Sequence, residues 1–509
     1  MAVCESAASF TPMIILKCLE DSRLLTVNRD MSDMLVSLDA HPLLREYFAK
    51  QLREQYFDAW RAAHRRLYEY LDAATPDEPQ PTLEDLQPLY QAVFHGCQAG
   101  MQQEAYDIHR FRIKRNESYA CSKLGAFGTD LGAIACFFDQ PWSMLSTNLQ
   151  KPIQAILFND TAFRLRALGR LTEALEPMQN GLKFAVDLID WSTDSARYWS
   201  TESAKYACNL SDMKLTLGKV TEALKDAQDS LIYANQSSDF EVKMAALSSY
   251  GHALHQADDK VQAETSFREV EQRLKQMQQK LPAGYLFSLS IHDFHYCDLL
   301  LAASESVAWK IVCSGDLHLP QNNVADHRVT LQAVYQRVKK IFDQNIPRPS
   351  HLDTAFDHLA FGRVVLYKAI LANVKHGMPD IKWKVSCREL DSAVDYFRRS
   401  GNLDVLPLGL LSRAWLRFFK EQHIGIDSAQ ADLDEAWEIA VRGSMKLHIA
   451  DIYLYRARLF GSQRFKDSGL EYPWESPKVD LAAAEKLINT CGYHRRDEEL
   501  ENAKRILLG

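Results

Sequence analysis

One hexapeptide pattern, Gly-x-x-x-Glu-Ala, occurs three times in this chain, at residues 100–105, 169–174 and 218–223, and it constrains the fold more than any other feature. A looser form sets a long or aliphatic side chain, an alanine three residues on and an apolar residue four after that. It occurs as Leu171/Ala174/Met178, Val220/Ala223/Ala227, Lys260/Ala263/Phe267, Leu390/Ala393/Phe397, Leu433/Ala436/Ala440 and Leu481/Ala484/Ile488. Positions i, i+3 and i+7 share one helix face, and the small middle residue lets a neighbouring helix approach closely. The glycine ends one helix and turns the chain into the next. The alanines recur at steps of 49, 40, 130, 43 and 48 residues, so the long interval predicts two diverged units inside it.

Such helix pairs leave an apolar face that only a neighbouring pair covers, which predicts stacking. Composition agrees: 21 glycines and 17 prolines in 509 residues fall below the roughly 12% of average usage, as expected of a mostly helical chain. The expected fold is an all-α α-solenoid, preceded by a partial winged-helix segment with a short β-hairpin. The first domain is placed at residues 1–72 and the helical repeat domain at 82–509, with a proline-rich linker at 73–81 between them.

Within the first domain, residues 13–20 read as a helix. The apolar runs 24–27 and 34–38 flank a polar turn at 28–33 and read as a hairpin. Asp39 then stands where an N-cap would, with Pro42 early in a helix that carries Leu43, Leu44, Tyr47, Phe48 and Leu52 at helical spacing. After the linker, Thr82 and Asp85 read as a capped helix start.

A formal charge of −8 argues against nonspecific nucleic-acid binding. The longest apolar stretch, residues 131–138, is far short of the roughly 20 residues of a membrane helix, so no membrane partner is expected. The opening MAVCESAASFTPMIIL lacks a cationic segment and a cleavage pattern, and ten scattered cysteines without a Cys-x-x-Cys read as small core residues in a reducing compartment. The expected location is cytoplasmic.

No phosphate loop, dinucleotide fingerprint, nucleophile elbow or His-Glu-x-x-His is present, so the chain is read as non-enzymatic and without a cofactor. Four local clusters remain. His292, Asp293, His295, Cys297 and Asp298 are metal-ligand types, but the apolar residues among them favour a buried repeat helix, and no metal site is expected. The basic run His109–Arg110–Phe111–Arg112–Ile113–Lys114–Arg115, like His64–Arg65–Arg66, reads as a solvated face. Tyr493–His494–Arg495–Arg496 reads as a structural cap that shows a polar end of the array to water.

Whole phrases carry a resemblance. The helix-pair motif is similar to the tetratricopeptide repeat, with a period longer than the usual 34, and the resemblance implies a tetratricopeptide-like α-solenoid with right-handed superhelical twist. The strings AHPLLREYF at 40–48, QPLYQAVFHGC at 87–97, KLGAFG at 123–128 and GYHRRD at 492–497 resemble the C-terminal half of bacterial STAND-class signal-transduction NTPases. There a NACHT or NB-ARC nucleotide-binding module precedes a winged helix and a superhelical sensor. The resemblance implies a sensor module that binds a protein or peptide, with a nucleotide-binding module as a further partner on another chain or in upstream sequence. It also implies a role for His41: in that family a histidine opening this helix reads the nucleotide's β-phosphate. Ala40 precedes His41 here, and Pro42 stands where the family has aspartate. Without a nucleotide-binding module, His41 is a helix-start histidine with no ligand.

Overall fold

The computed structural model describes residues 12–32, 34–115, 118–190, 195–279, 290–314, 321–343, 350–372 and 380–509. The chain is all-α, with 78% of the described residues helical, and two antiparallel strand pairs are the only sheets among the described residues. It divides into two compact units, Met1–Glu78 with Gln87–His109, and Pro79–Leu86 with Arg110–Gly509. No helix among the described residues is long and apolar enough to cross a membrane.

The first unit opens with α1 (Pro12–Asp21), the strands β1 (Thr26–Arg29) and β2 (Leu35–Asp39), and α2 (Pro42–Gln55). Val27 pairs with Leu38 across the hairpin. Asp30 builds its turn, accepting hydrogen bonds from the backbone N–H of Ser32 and Met34 at 2.8 and 2.9 Å, as aspartate does in tight turns. The remaining turn residue, Asp33, lies outside the described residues. The expected cap on α2 is displaced by two residues: His41, not Asp39, is the N-cap, and its Nδ1 accepts from the Leu43 N–H at 3.3 Å. Pro42 occupies the first helical position and so fixes the cap one residue before it. Asp39 instead accepts from the Ala40 N–H and pairs with Arg45 at 3.4 Å.

Two further helices follow, α3 (Phe57–Ala74) and α4 (Leu83–Gln98), with the proline-rich stretch left non-helical between them. Thr82 and Asp85 cap α4 reciprocally: the Asp85 N–H donates to Thr82 Oγ1, and the Thr82 N–H donates to Asp85 Oδ2. Helix α5 (Gln102–Asp107) runs into a π-helical turn, Ile108–Ile113. In the core of the first unit, Arg61 Nε donates to the Ala99 carbonyl at 3.0 Å. Beside it the His64 and His95 Nδ1 atoms lie 2.7 Å apart, with the Trp60 ring edge-on to His64.

The second unit begins with α6 (Tyr119–Ser122), α7 (Phe127–Ala135) and the strand pair β3 (Phe138–Gln140) and β4 (Met144–Leu145). Helices then come in pairs: α8 (Lys151–Ala167) with α9 (Leu171–Asp187), α10 (Ser195–Thr216) with α11 (Val220–Gln236), and α12 (Phe240–Gln256) with α13 (Lys260–Gln278). Next are α14 (Ser290–Ser314) with α15 (Gln321–Asp343), and α16 (His351–Ala372) with α17 (Asp380–Ser400). The last pairs are α18 (Leu406–Phe419) with α19 (Ala429–Arg442), and α20 (Lys446–Phe460) with α22 (Pro477–Cys491), the latter enclosing the short α21 (Gln463–Lys466). A 3-10 turn, His494–Arg496, leads into α23 (Asp497–Leu507).

The repeated motif falls on the second helix of six pairs, and all six of its alanines are wholly buried. Lys260 departs from the pattern and is exposed. The motif glycines Gly100, Gly169 and Gly218 take φ of +78°, +74° and +78°, the left-handed conformation that ends a helix without a Cβ penalty. The 130-residue interval holds one extra pair among the described residues, where the spacing predicted two units. Helices α14 to α17 run 25, 23, 22 and 21 residues, and this extra length takes up about half of the difference. Helix α15 carries the motif with valine in place of alanine, at buried Leu331, Val334 and Val338.

First helices of the pairs are buried nearly all round. Arg363 and its neighbours on α16, and the whole of α18 and α20 but for scattered positions, lie inside, as expected of helices covered on every side. Contacts run beyond sequence neighbours: α10 and α14 both touch α20, α14 touches α23, and the 3-10 turn touches α12. The Leu403 N–H donates to the Ala167 carbonyl at 2.6 Å, which ties the end of α8 to the loop before α18. The first helices therefore surround a common centre.

Candidate functional site

That centre is charged. Asp298 and Glu305 lie seven residues apart on one face of α14, and Asp451 and Arg458 do the same on α20. Arg363 of α16 donates from Nη1 to Asp298 at 2.7 Å and from Nη2 to Glu305 at 2.9 Å. Arg495 donates from Nη1 to Asp298 Oδ2 at 2.5 Å. Arg496 reaches Asp451 at 2.8 Å, Glu499 at 2.7 Å and Glu305 at 3.4 Å, and Arg458 pairs with Glu499 at 2.8 Å. Four arginines thus face four carboxylates, so the cluster is charge-balanced, which buried ions require. Burial works to raise the Asp298 carboxyl, but Arg495 and Arg363 outweigh it and hold it well below the usual range.

Tyr493, Arg495 and Arg496 were expected to give a solenoid end a polar face. They are buried instead, and of that tetrad His494 alone is exposed. The turn directs both guanidiniums to the middle of the unit because their carboxylates lie there, on α14 and α20.

Beside this cluster are two cavities, of about 110 Å³ and 230 Å³. Arg166, Asp212, His295, Phe356 and Asp404 line both. Arg166 is taken up by Asp404 at 2.7 Å. Asp212 Oδ1 has no protein hydrogen bond, and His252 Nδ1 lies 3.8 Å from it. Burial pushes the Asp212 carboxyl up, but His252 and Arg166 outweigh burial and bring it down to about 2. The imidazoles of His252 and His295 stack with centroids 3.7 Å apart. Burial foremost, and His252 next, keep His295 well below the ordinary imidazole range.

The five side chains of the 292–298 cluster go to different places. His292 and His295 line the larger cavity, Asp293 accepts from Arg337 at 2.7 Å, Cys297 is in the apolar core, and Asp298 joins the arginines. No group of three or more His, Cys, Asp or Glu side chains among the described residues could hold a metal ion. Basic-run residues are similarly committed: Lys114 donates to Asp160 at 2.7 Å, and Arg115 donates to the Pro79 carbonyl at 2.9 Å. His64 is buried against His95. Nine described cysteines are free thiols, with Cys4 outside the described residues. Burial pushes Cys121, Cys208, Cys297 and Cys313 up to about 12.

His41 is exposed at the start of α2, where its ring caps the helix. Sequence reading missed Arg166, Asp212, Arg363 and Asn402. The available signal was a charge inside an apolar run, as for Arg363 in LAFGRVVLY or Asp298 in HYCDLLL. No protein-family model matches the chain, and no curated protein matches it.

Proposed function

We propose that this chain is a non-catalytic interaction and sensor module of a STAND-type signalling protein, working in the cytoplasm. In this reading the paired helices are a tetratricopeptide-like array with right-handed superhelical twist. They bind a protein or peptide ligand, and the helix–hairpin–helix of the first unit meets a nucleotide-binding module. The observation that carries the reading is the state of α2: it buries no side chain, and Leu43, Tyr47 and Phe48 are 68, 57 and 58% exposed. Apolar side chains clustered on a surface mark a protein-contacting face.

A second reading, a regulatory subunit of an ATP-driven switch whose NTPase lies on another chain or in upstream sequence, is favoured by the exposure of His41 next to that face. A helix start also suits an anion such as a phosphate. Both readings are tested by placing a photocross-linking amino acid at Tyr47 in cells of the source organism. The expected product is a cross-link to a nucleotide-binding polypeptide, lost in a Leu43→Glu/Phe48→Glu variant whose circular dichroism is unchanged. Cross-links to another copy of this chain alone, or none, would sink both readings.

A further inference from the structure

The 230 Å³ cavity walled by α10, α12 and α14 has an unusual set of unmet hydrogen-bonding atoms. Asp212 Oδ1, His292 Nδ1, His295 Nδ1 and Asn402 Oδ1 all belong to lining residues, and none has a hydrogen-bond partner in the protein. Asn402 is 6% exposed and His295 9%. Buried polar atoms are nearly always paired, so each one calls for a partner.

The four atoms share a chemistry. A carboxylate oxygen and an amide oxygen only accept, and a neutral imidazole offers one acceptor nitrogen, which is Nδ1 when the proton sits on Nε2. Burial holds both imidazoles below their ordinary range and so neutral. With those protons on Nε2 all four atoms are acceptors, and what would satisfy this lining is a donor.

Charge narrows it further. The two lining cations are committed, Arg166 to Asp404 at 2.7 Å and Lys205 to Glu202 at 2.9 Å. Arg166 is bonded to Asp404 and acts on Asp212 through space, and His252 Nδ1 stands 3.8 Å from Asp212 Oδ1, so this carboxylate oxygen has no cation at hydrogen-bond distance. The remaining wall is apolar, with Val242, Ile291, Leu352, Phe356 and Val405 among its residues. A bare metal ion does not suit it, since the described residues hold no three-ligand group.

We propose that this cavity binds a small alkylammonium compound, with the ammonium on Asp212 and the imidazole and amide acceptors, and the alkyl stem against the apolar wall. A water share of about 30 Å³ leaves room in this volume for a molecule of several heavy atoms.

The test is calorimetric titration of the full chain at constant ionic strength with three probes of one shape: n-butylammonium, n-butanol and butyrate. Binding is expected for n-butylammonium, at least tenfold tighter than for n-butanol, with none for butyrate. Asp212→Asn should weaken the ammonium at least tenfold and leave n-butanol unchanged. Should that variant not fold, Ala245→Leu narrows the same cavity with its charges intact and should abolish n-butylammonium binding. Equal binding of n-butanol and n-butylammonium would overturn the proposal, as would no binding of any probe, or ammonium binding that survives Ala245→Leu.

Discussion

Arg363 is held by two carboxylates on a single helix, and its loss would leave Asp298 and Glu305 buried with less positive charge around them. Removing one partner from a buried ion cluster costs about 3–5 kcal/mol. Arg363→Met should therefore lower urea-unfolding stability by about that amount, and a loss below about 1 kcal/mol would show that the cluster is not holding the helices together. The His64–His95 pair makes a prediction about pH. Burial foremost, and His95 next, lower His64 from 6.5 to about 4, and burial lowers His95. A histidine whose folded pKa is depressed binds its proton more readily when unfolded. The stability these rings contribute is thus complete above about pH 6.5 and is lost as the pH falls toward 4. Trp60, packed on His64, should report the loss as a fluorescence change across that window, and His64→Phe should flatten the profile. At this scale the sequence was legible where one small residue had one job, as at Ala174 or Ala436. It was not where function needs convergence, because Asp212, His295 and Asn402 come from separate elements and share no spacing.

At the level of elements, the helix-ending glycines do two things at once. Gly218 holds φ at +78°, and a Cβ there would lie 2.5 Å from Cys491 Sγ and 2.8 Å from the Lys446 side chain. The left-handed conformation alone costs a non-glycine residue about 1–2 kcal/mol. Gly218→Ala should exceed that figure in chemical denaturation because of the added collisions, and Cys491→Ala in the same chain should recover part of the excess, with the Lys446 collision and the backbone part remaining. If Gly218→Ala costs less than about 0.5 kcal/mol, the turn is not constrained as described. Pairing of helices was readable from the motif because its period is a property of the helix itself. The α14–α15 pair was hidden since Val334 replaces the small residue that marks the others, and because longer helices stretched the interval. His41 as the cap of α2 was also hidden: Asp39 has the better capping chemistry, and Pro42 decides the matter through backbone geometry.

For the second unit as a whole, contacts of α20 and α23 with α10 and α14 matter more than the count of repeats. An open array has only nearest-neighbour interfaces and can melt in stages from its ends. Here the last elements are bonded to the middle, so the second unit should unfold in one step. In calorimetry of the full chain the second unit is expected to melt in a single transition with equal calorimetric and van't Hoff enthalpies, and well-separated transitions within that unit would contradict it. The all-helical class was plain from composition and motif. The inward return of the last turn was not, for a basic Arg-Arg near the end of a repeat array reads naturally as a surface feature. Only the positions of Asp298, Glu305 and Asp451 show where those charges belong.

The same arrangement bears on the order in which the protein is made. A ribosome delivers Asp298, Glu305, Arg363 and Asp451 well before Arg495 and Arg496. Until those two residues emerge, the nascent chain holds an excess of buried-site carboxylates, and the middle of the unit has reason to stay hydrated and unclosed. Translation of the final turn is then what completes the centre, and nascent chains stalled just short of it should be the ones that chaperones and proteases still recognise.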